Sequence, residues 1–162
     1  MTISEGDKLP DAELMRIGED GPETVSLREL TKGQTVALFA VPGAYTGVCT
    51  TAHVPSFIRT KDEFAEKGVE TVICVSVNDP FVMRAWSEST GAAAADLHML
   101  ADPDGGFTRA IGMQFDAPPA GLVGRSRRYA MLVDDGVVRT LHVEDSPGTC
   151  EASAGEALLA KI

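Results

Sequence analysis

The sequence is short of cysteine, of long apolar runs and of positive charge, and each shortage excludes a class of protein. Its three cysteines contain no CxxC pair, so they form neither a disulfide framework nor a four-ligand zinc site. The longest apolar run, TVALFAVP from Thr35 to Pro42, has the length of a strand and not the roughly 20 residues of a membrane span. The N-terminal segment lacks the basic and apolar regions of a signal peptide, so we expect a cytoplasmic protein.

The charge balance excludes two kinds of partner. Fourteen Lys and Arg against 24 Asp and Glu give a net charge of −10, whereas nucleic acids and anionic membranes both require a cationic surface. The length of 162 residues and the hydrophobic fraction of 44% are typical of one globular domain, which we expect to span residues 1–162.

The apolar pattern predicts strands alternating with helices, followed by a hairpin. The first two strands are almost continuously apolar, which indicates burial on both faces of a sheet. An Asp-Gly pair at Asp135-Gly136 predicts the hairpin turn. The predicted strands are Gln34–Val41, Val69–Val77, Leu97–Ala101, Arg128–Val133 and Gly136–Val143.

Helices are predicted between these strands and at the C-terminus. One runs from about Val48 to Glu66, with Val54, Phe57, Ile58 and Phe64 on its apolar face. The next begins at Pro80 behind an Asp79 N-cap, with Phe81, Val82, Ala85 and Trp86 as its apolar stripe. A short helix covers Phe107–Gly112, and a Ser153/Glu156 capping box opens the last one. Asp116–Gly124 is predicted to be a long loop. The order indicates an α/β protein with a thioredoxin-like fold, a mixed central sheet flanked by helices.

The chemistry is predicted at the junction that follows the first of these strands. Pro42 ends the strand, and Cys49 falls in the first turn of the next helix, where free N–H groups and the helix dipole stabilise a thiolate. Thr46 lies three residues earlier and can direct its hydroxyl at whatever the sulfur attacks. Pro42 has no N–H and can cover the pocket.

The spacing PxxxTxxC, formed by Pro42, Thr46 and Cys49, resembles the active-site signature of the peroxiredoxins. The wider block PGAYTGVCTTAHVPSF is similar to the PGAFTPTCSxxHLPGF of the type II, or peroxiredoxin-5-like, branch, with Gly47 where that branch commonly has Pro. Similarity continues through Lys67–Trp86 and Gly124–Glu144. The resemblance implies a thiol peroxidase that reduces H2O2 and organic hydroperoxides, with Cys49 as the peroxidatic cysteine and Arg128 as an active-site arginine.

The resemblance also implies a recycling route without metal or prosthetic group. The Cys49 sulfenate would be reduced by glutathione and glutaredoxin, by thioredoxin, or by a resolving cysteine, and a homodimer is expected. Branch members carry a second cysteine either at the place of Cys74 or near Cys150. The residues favour Cys150, because it lies in a Pro-Gly loop, whereas Cys74 lies inside an apolar strand.

The same residues are also compatible with other functions and roles. The same cysteine could serve a redox-regulated sensor or chaperone-type binding module, although such a module needs neither Thr46 nor Arg128. The missing CxxC argues against a disulfide oxidoreductase. His53, one turn past Cys49, is either a packing residue or part of the thiolate pocket. Arg125 and Arg127 are expected to face away from Arg128 in a solvated loop.

Overall fold

The computed structural model describes residues 2–162, and a seven-stranded mixed sheet forms its centre. Strands β3, β4 and β5 are parallel, and the remaining pairings in this sheet are antiparallel. The strands are β1 (Glu13–Gly18), β2 (Gly21–Ser26), β3 (Thr35–Val41), β4 (Thr71–Ser76), β5 (His98–Ala101), β6 (Gln114–Ala117), β7 (Leu122–Ser126), β8 (Tyr129–Asp134) and β9 (Val137–Val143). Across the sheet they run in the order β2-β1-β5-β4-β3-β8-β9, while β6 and β7 pair separately.

Both faces of the sheet are covered, which explains the continuous apolar runs of β3 and β4. One face carries α2 (Val54–Glu66), α3 (Pro80–Thr90) and α5 (Gly155–Leu159). The opposite face packs against α1 (Leu27–Thr31), α4 (Gly106–Ala110) and the N-terminal segment. The predicted fold class, a thioredoxin-like mixed sheet flanked by helices, is confirmed. Within residues 2–162 no helix has both the length and the apolar character needed to cross a membrane.

Two hairpins were not predicted. The β1–β2 hairpin has a largely polar, half-exposed sequence, so its alternation is weak. The predicted loop Asp116–Gly124 is wrong, because β6 and β7 form a hairpin joined by a 3-10 turn at Pro118–Ala120. The Pro-Pro pair of this segment occupies only that turn.

The helices that follow β3 and β4 each differ from expectation in one respect. The helix after β3 opens with a π-helical turn at Cys49–His53, because Pro55 lacks the N–H that would continue the regular ladder. In α3 the buried face is Pro80, Met83 and Trp86, while Phe81 is exposed. The Asp79 cap is confirmed, since its carboxylate accepts the Val82 N–H at 2.9 Å.

The predicted capping box of the last helix is wrong. Helix α5 begins at Gly155, and neither predicted side chain caps it. The Ser153 hydroxyl donates to Glu144 at 2.6 Å, and the Glu156 carboxylate pairs with Arg59. Both side chains therefore bind residues that are distant in sequence, and neither caps the helix.

Candidate active site

The segment between β3 and the π-helical turn is held against the neighbouring strand. Asn78 follows β4, and its side-chain oxygen accepts the Ala44 N–H at 3.0 Å. The Ser76 hydroxyl donates to the same oxygen. Tyr45 takes a positive φ of 66°, which turns the chain toward Thr46. The role of Asn78 in holding this segment had no signal in the sequence.

Cys49 is fully buried, and two polar groups lie at hydrogen-bond distance from its sulfur. Thr46 Oγ1 is 2.9 Å from Sγ, and Arg128 Nη2 is also 2.9 Å from it. Thr46 Oγ1 also lies 2.7 Å from the Gly43 carbonyl. The hydroxyl has one proton for these two acceptors, so it can shift its donation between the carbonyl and the reacting atoms.

The predicted residues Pro42, Thr46, Cys49 and Arg128 lie close to one another in chain or in space. Pro42 is buried directly after β3, and Cys49 lies in the first turn of its helix as expected. Arg128 lies directly before β8, which pairs with β3. The pairing of these two strands brings residues 79 positions apart into contact.

The guanidinium of Arg128 is almost completely buried, and each of its nitrogens is bound. Nε and Nη2 donate to the Pro147 carbonyl at 3.1 and 2.9 Å, and Nη1 contacts His53 Nδ1 at 2.9 Å. Within residues 2–162 no carboxylate lies at salt-bridge distance from it. A buried cation needs a nearby anion, and a thiolate at Cys49 would supply it.

His53 contacts Arg128 and does not contact the sulfur. Because Arg128 donates to Nδ1, the ring carries its proton on Nε2, which donates to the Ser153 carbonyl at 2.9 Å. The ring packs against Phe39 and Phe57. Burial and the Arg128 charge lower the pKa of His53 to about 3, against the opposing effect of the Ser153 carbonyl. The imidazole is therefore neutral at physiological pH.

A buried carboxylate holds the loop that lies over Arg128. Glu144 Oε2 accepts hydrogen bonds from Glu151 N, Ser153 N and Ser153 Oγ at 2.8, 2.7 and 2.6 Å. Burial alone would raise the pKa of Glu144, but these hydrogen bonds outweigh it and lower that pKa. The loop between these residues carries Pro147 and Cys150. Glu144 was missed at the sequence level, because a single Glu after a strand has no distinctive pattern.

The two candidate resolving cysteines differ in setting. Cys74 is fully buried in β4, and its neighbours in the sheet are β3 and β5. Cys150 is half-buried in the loop held by Glu144. Burial raises the pKa of the Cys74 thiol well above its usual value and also raises that of Cys150. The positive charge of Arg128 opposes the shift at Cys150.

Arg125 and Arg127 do not share one solvated loop. Arg127 follows β7, and its N–H donates to the Met113 carbonyl. Arg125 lies within β7 and is half-buried. Its Nη1 is 3.1 Å from the point where a Cβ on Gly43 would lie. The β6–β7 hairpin therefore borders the segment that carries Thr46.

Comparison with known proteins gives one consistent answer. The Redoxin family model matches residues 4–159. The chain is 50% identical over 163 residues to the chloroplastic peroxiredoxin-2E-2 of Oryza sativa subsp. japonica, covering 98% of this chain and 72% of that protein. It is 41% identical to peroxiredoxin-2B of Arabidopsis thaliana, covering 98% of both chains.

Solved structures agree with these relatives. The crystal structure of reduced Prx3 from Vibrio vulnificus in complex with H2O2 superposes with a TM-score of 0.90 at 44% identity, covering 99% of both chains. Oxidized Prx3 from the same organism gives a TM-score of 0.89 at 45% identity, covering 99% of this chain and 100% of that one. The chain belongs to the redoxin family and, within it, to the type II, peroxiredoxin-5-like peroxiredoxins, which are thiol-dependent peroxidases.

Proposed function

We propose that Cys49 is the peroxidatic cysteine and that its substrates are H2O2 and organic hydroperoxides. The observation that carries the proposal is that Thr46 Oγ1 and Arg128 Nη2 both lie 2.9 Å from the Cys49 sulfur. Arg128 supplies a permanent charge beside that sulfur, and the hydroxyl of Thr46 is free to turn toward a bound peroxide. Pro42, buried directly after β3, can shield the sulfur from water.

In the oxidative step the Cys49 thiolate attacks the terminal oxygen of the hydroperoxide. A sulfur–oxygen bond forms, the oxygen–oxygen bond breaks, and an alkoxide or hydroxide leaves and takes a proton from solvent. Sulfur is oxidised to a sulfenic acid while the peroxide is reduced to an alcohol or water. The sulfur accepts the oxygen directly, so the step requires no metal and no prosthetic group.

Ionisation of the thiol supplies only part of the acceleration. A free thiol is about 3% ionised at pH 7, so complete ionisation gains at most about 30-fold, or about 2 kcal/mol. Enzymes commonly supply at least about 8 kcal/mol. The remainder has to come from aligning the peroxide with the sulfur and from donors that stabilise the charge as the oxygen–oxygen bond breaks, here Thr46 and Arg128.

The second half of the cycle returns the sulfenate to the thiol. We propose that Cys150 or glutathione resolves it, with glutaredoxin or thioredoxin as the protein reductant. The half-buried loop position of Cys150 supports this choice, as does the central-strand position of Cys74. The thiol reductant is a co-substrate, and no bound cofactor takes part.

We also propose a homodimer in the cytoplasm. Large apolar side chains are exposed in the segment of residues 43–46 and close in sequence to residues that contact it, which supports contact with a second copy. They are Tyr45, Phe81 and Val123, exposed by 54, 63 and 67%. Sedimentation velocity measures the association. The cytoplasmic compartment stays a prediction, since relatives of this chain include chloroplastic and mitochondrial peroxiredoxins.

The decisive test is Cys49→Ser, assayed for peroxide consumption with glutathione and glutaredoxin. We expect loss of turnover with an unchanged circular dichroism spectrum, because the hydroxyl replaces a buried thiol of similar size. Cys74→Ser is the matched control and should retain turnover. A sensor or binding module that uses the same cysteine would consume about one equivalent of peroxide and stop, whereas a peroxidase continues over many cycles.

A further inference from the structure

The guanidinium of Arg125 lies next to the segment that carries Thr46. The point where a Cβ on Gly43 would lie is 3.1 Å from Arg125 Nη1 and 3.3 Å from Thr46 Cγ2. Thr46 therefore directs its hydroxyl toward Cys49 and its methyl group toward the β6–β7 hairpin. A side chain at position 43 would crowd the guanidinium in this place, whereas glycine leaves room for it.

The charge of Arg125 has no ion-pair partner among the described residues. Between residues 2 and 162 no carboxylate lies within salt-bridge distance of it, although the chain has a net charge of −10. The one acidic side chain of its hairpin, Asp116, instead accepts the Gly124 N–H at 2.6 Å. An unpaired guanidinium beside an active-site segment offers a planar fork for a carboxylate.

We propose that Arg125 binds the carboxylate of a substrate whose reactive group reaches Cys49. The proposal rests on the peroxidase function proposed above and adds the substrate class to it. Two sources share this chemistry: a hydroperoxide that carries a carboxylate, and a thiol reductant that carries one. Arg128 is buried and each of its nitrogens is bound, so it cannot receive the group, whereas Arg125 borders the segment that carries Thr46.

Because the whole chain is negatively charged, the proposal can be tested by whether an anionic substrate reacts faster or more slowly than its neutral ester. A chain with a net charge of −10 repels an anionic substrate, so without a local cation a carboxylate hydroperoxide should react more slowly than its neutral ester. Added salt would then raise the rate of the anion. Binding at Arg125 predicts the opposite order, with a preference for the anion that salt weakens.

The experiment compares matched substrates. Second-order rate constants are measured by stopped flow for para-carboxy cumene hydroperoxide and its methyl ester, at low and high ionic strength. We expect the carboxylate to react at least about threefold faster than the ester at low salt, and the ratio to approach one in Arg125→Gln. H2O2 should react with Arg125→Gln within about twofold of the parent rate. Arg127→Gln, the matched control, should keep the parent ratio.

A second pair of substrates distinguishes the two sources. Reduction of the Cys49 sulfenate is measured with glutathione and with its glycyl ethyl ester. If only glutathione and its ester differ in rate constant, and the difference disappears in Arg125→Gln, the carboxylate belongs to the reductant. If the hydroperoxide and its ester differ in rate constant, the carboxylate belongs to the oxidant.

Three outcomes are separable in this design. The proposal would be overturned by the parent protein alone if, for both pairs, the carboxylate reacted more slowly than its ester and the ratio of their rate constants rose with salt. Parent-like ratios in Arg125→Gln would also overturn it. Failure of the parent protein to turn over H2O2 would instead overturn the peroxidase assignment.

Discussion

Arg128 Nη1 and His53 Nδ1 lie 2.9 Å apart, and this contact joins the buried guanidinium beside Cys49 to a histidine that stays neutral. The opposite nitrogen of the ring donates to the Ser153 carbonyl, so His53 links Arg128 to the end of the loop held by Glu144. Protonation of His53 would place a second positive charge against the guanidinium and remove its acceptor. His53 is thus a positioning residue for Arg128.

This arrangement predicts a loss of stability in acid. The pKa of His53 is about 3 in the folded chain and 6.5 in its usual environment, so between these values the unfolded chain binds more protons. Its contribution to stability is complete above pH 6.5 and is lost as pH falls toward 3. Between pH 6 and 4.5 the parent protein should lose about 2 kcal/mol more unfolding free energy than His53→Gln, which has no ring to titrate.

Urea unfolding of both proteins at the two pH values provides the measurement. The carboxylates, including Glu144, contribute equally to the pH dependence of the unfolding free energy in both proteins, so their contribution cancels in the comparison. Parallel dependence of the two free energies on pH would contradict the assignment of a neutral, buried His53.

Replacing Arg128 by Lys should slow the reaction with peroxide by tenfold or more, which corresponds to about 1.4 kcal/mol. A single ammonium cannot reach the Cys49 sulfur, the His53 ring and the Pro147 carbonyl together, as the guanidinium does. Stopped-flow kinetics with H2O2 measures the rate, and alkylation by iodoacetamide at pH 7 should slow as well. Arg127→Lys is the control. Parent-like values in both assays would mean that Arg128 is structural.

One equivalent of H2O2 without a reductant should leave either a Cys49–Cys150 disulfide or a free sulfenic acid. Moving Cys74 would break ladder hydrogen bonds in β4 and uncover apolar side chains on both sheet faces, at a cost of several kcal/mol. Added glutathione should give a mixed disulfide at Cys49 that glutaredoxin releases. Peptide mapping by mass spectrometry identifies the product.

The variants Cys150→Ser and Cys74→Ser make this prediction specific. The first should abolish any internal disulfide, and the second should leave the products unchanged. Trp86 donates to Thr50, the residue after Cys49, so a disulfide that moves Cys49 from its buried position should change the Trp86 fluorescence. A dominant Cys49–Cys74 disulfide would show that β4 moves far more easily than its position in the sheet indicates.

Much of the fold was predictable from local pattern. The apolar runs of β3 and β4 predicted strands buried on both faces, and Asp135-Gly136 predicted the β8–β9 turn, where both residues have positive φ. These features depend on neighbours in sequence, so a single chain reveals them. The half-exposed β1–β2 and β6–β7 hairpins were missed, because strands with polar faces gain their definition from the partner strand.

The position of Cys49 at the start of a helix, three residues after Thr46, follows from the sequence alone, since spacing and helix-end chemistry are local. The surroundings of the sulfur depend on contacts between distant parts of the chain. Pairing of β8 with β3 brought Arg128 to Cys49, and the polar groups buried there then required partners. His53, Glu144 and Ser153 meet that requirement from distant parts of the chain. A buried hydrogen bond depends on which strands meet, and residue spacing along one strand cannot encode that choice.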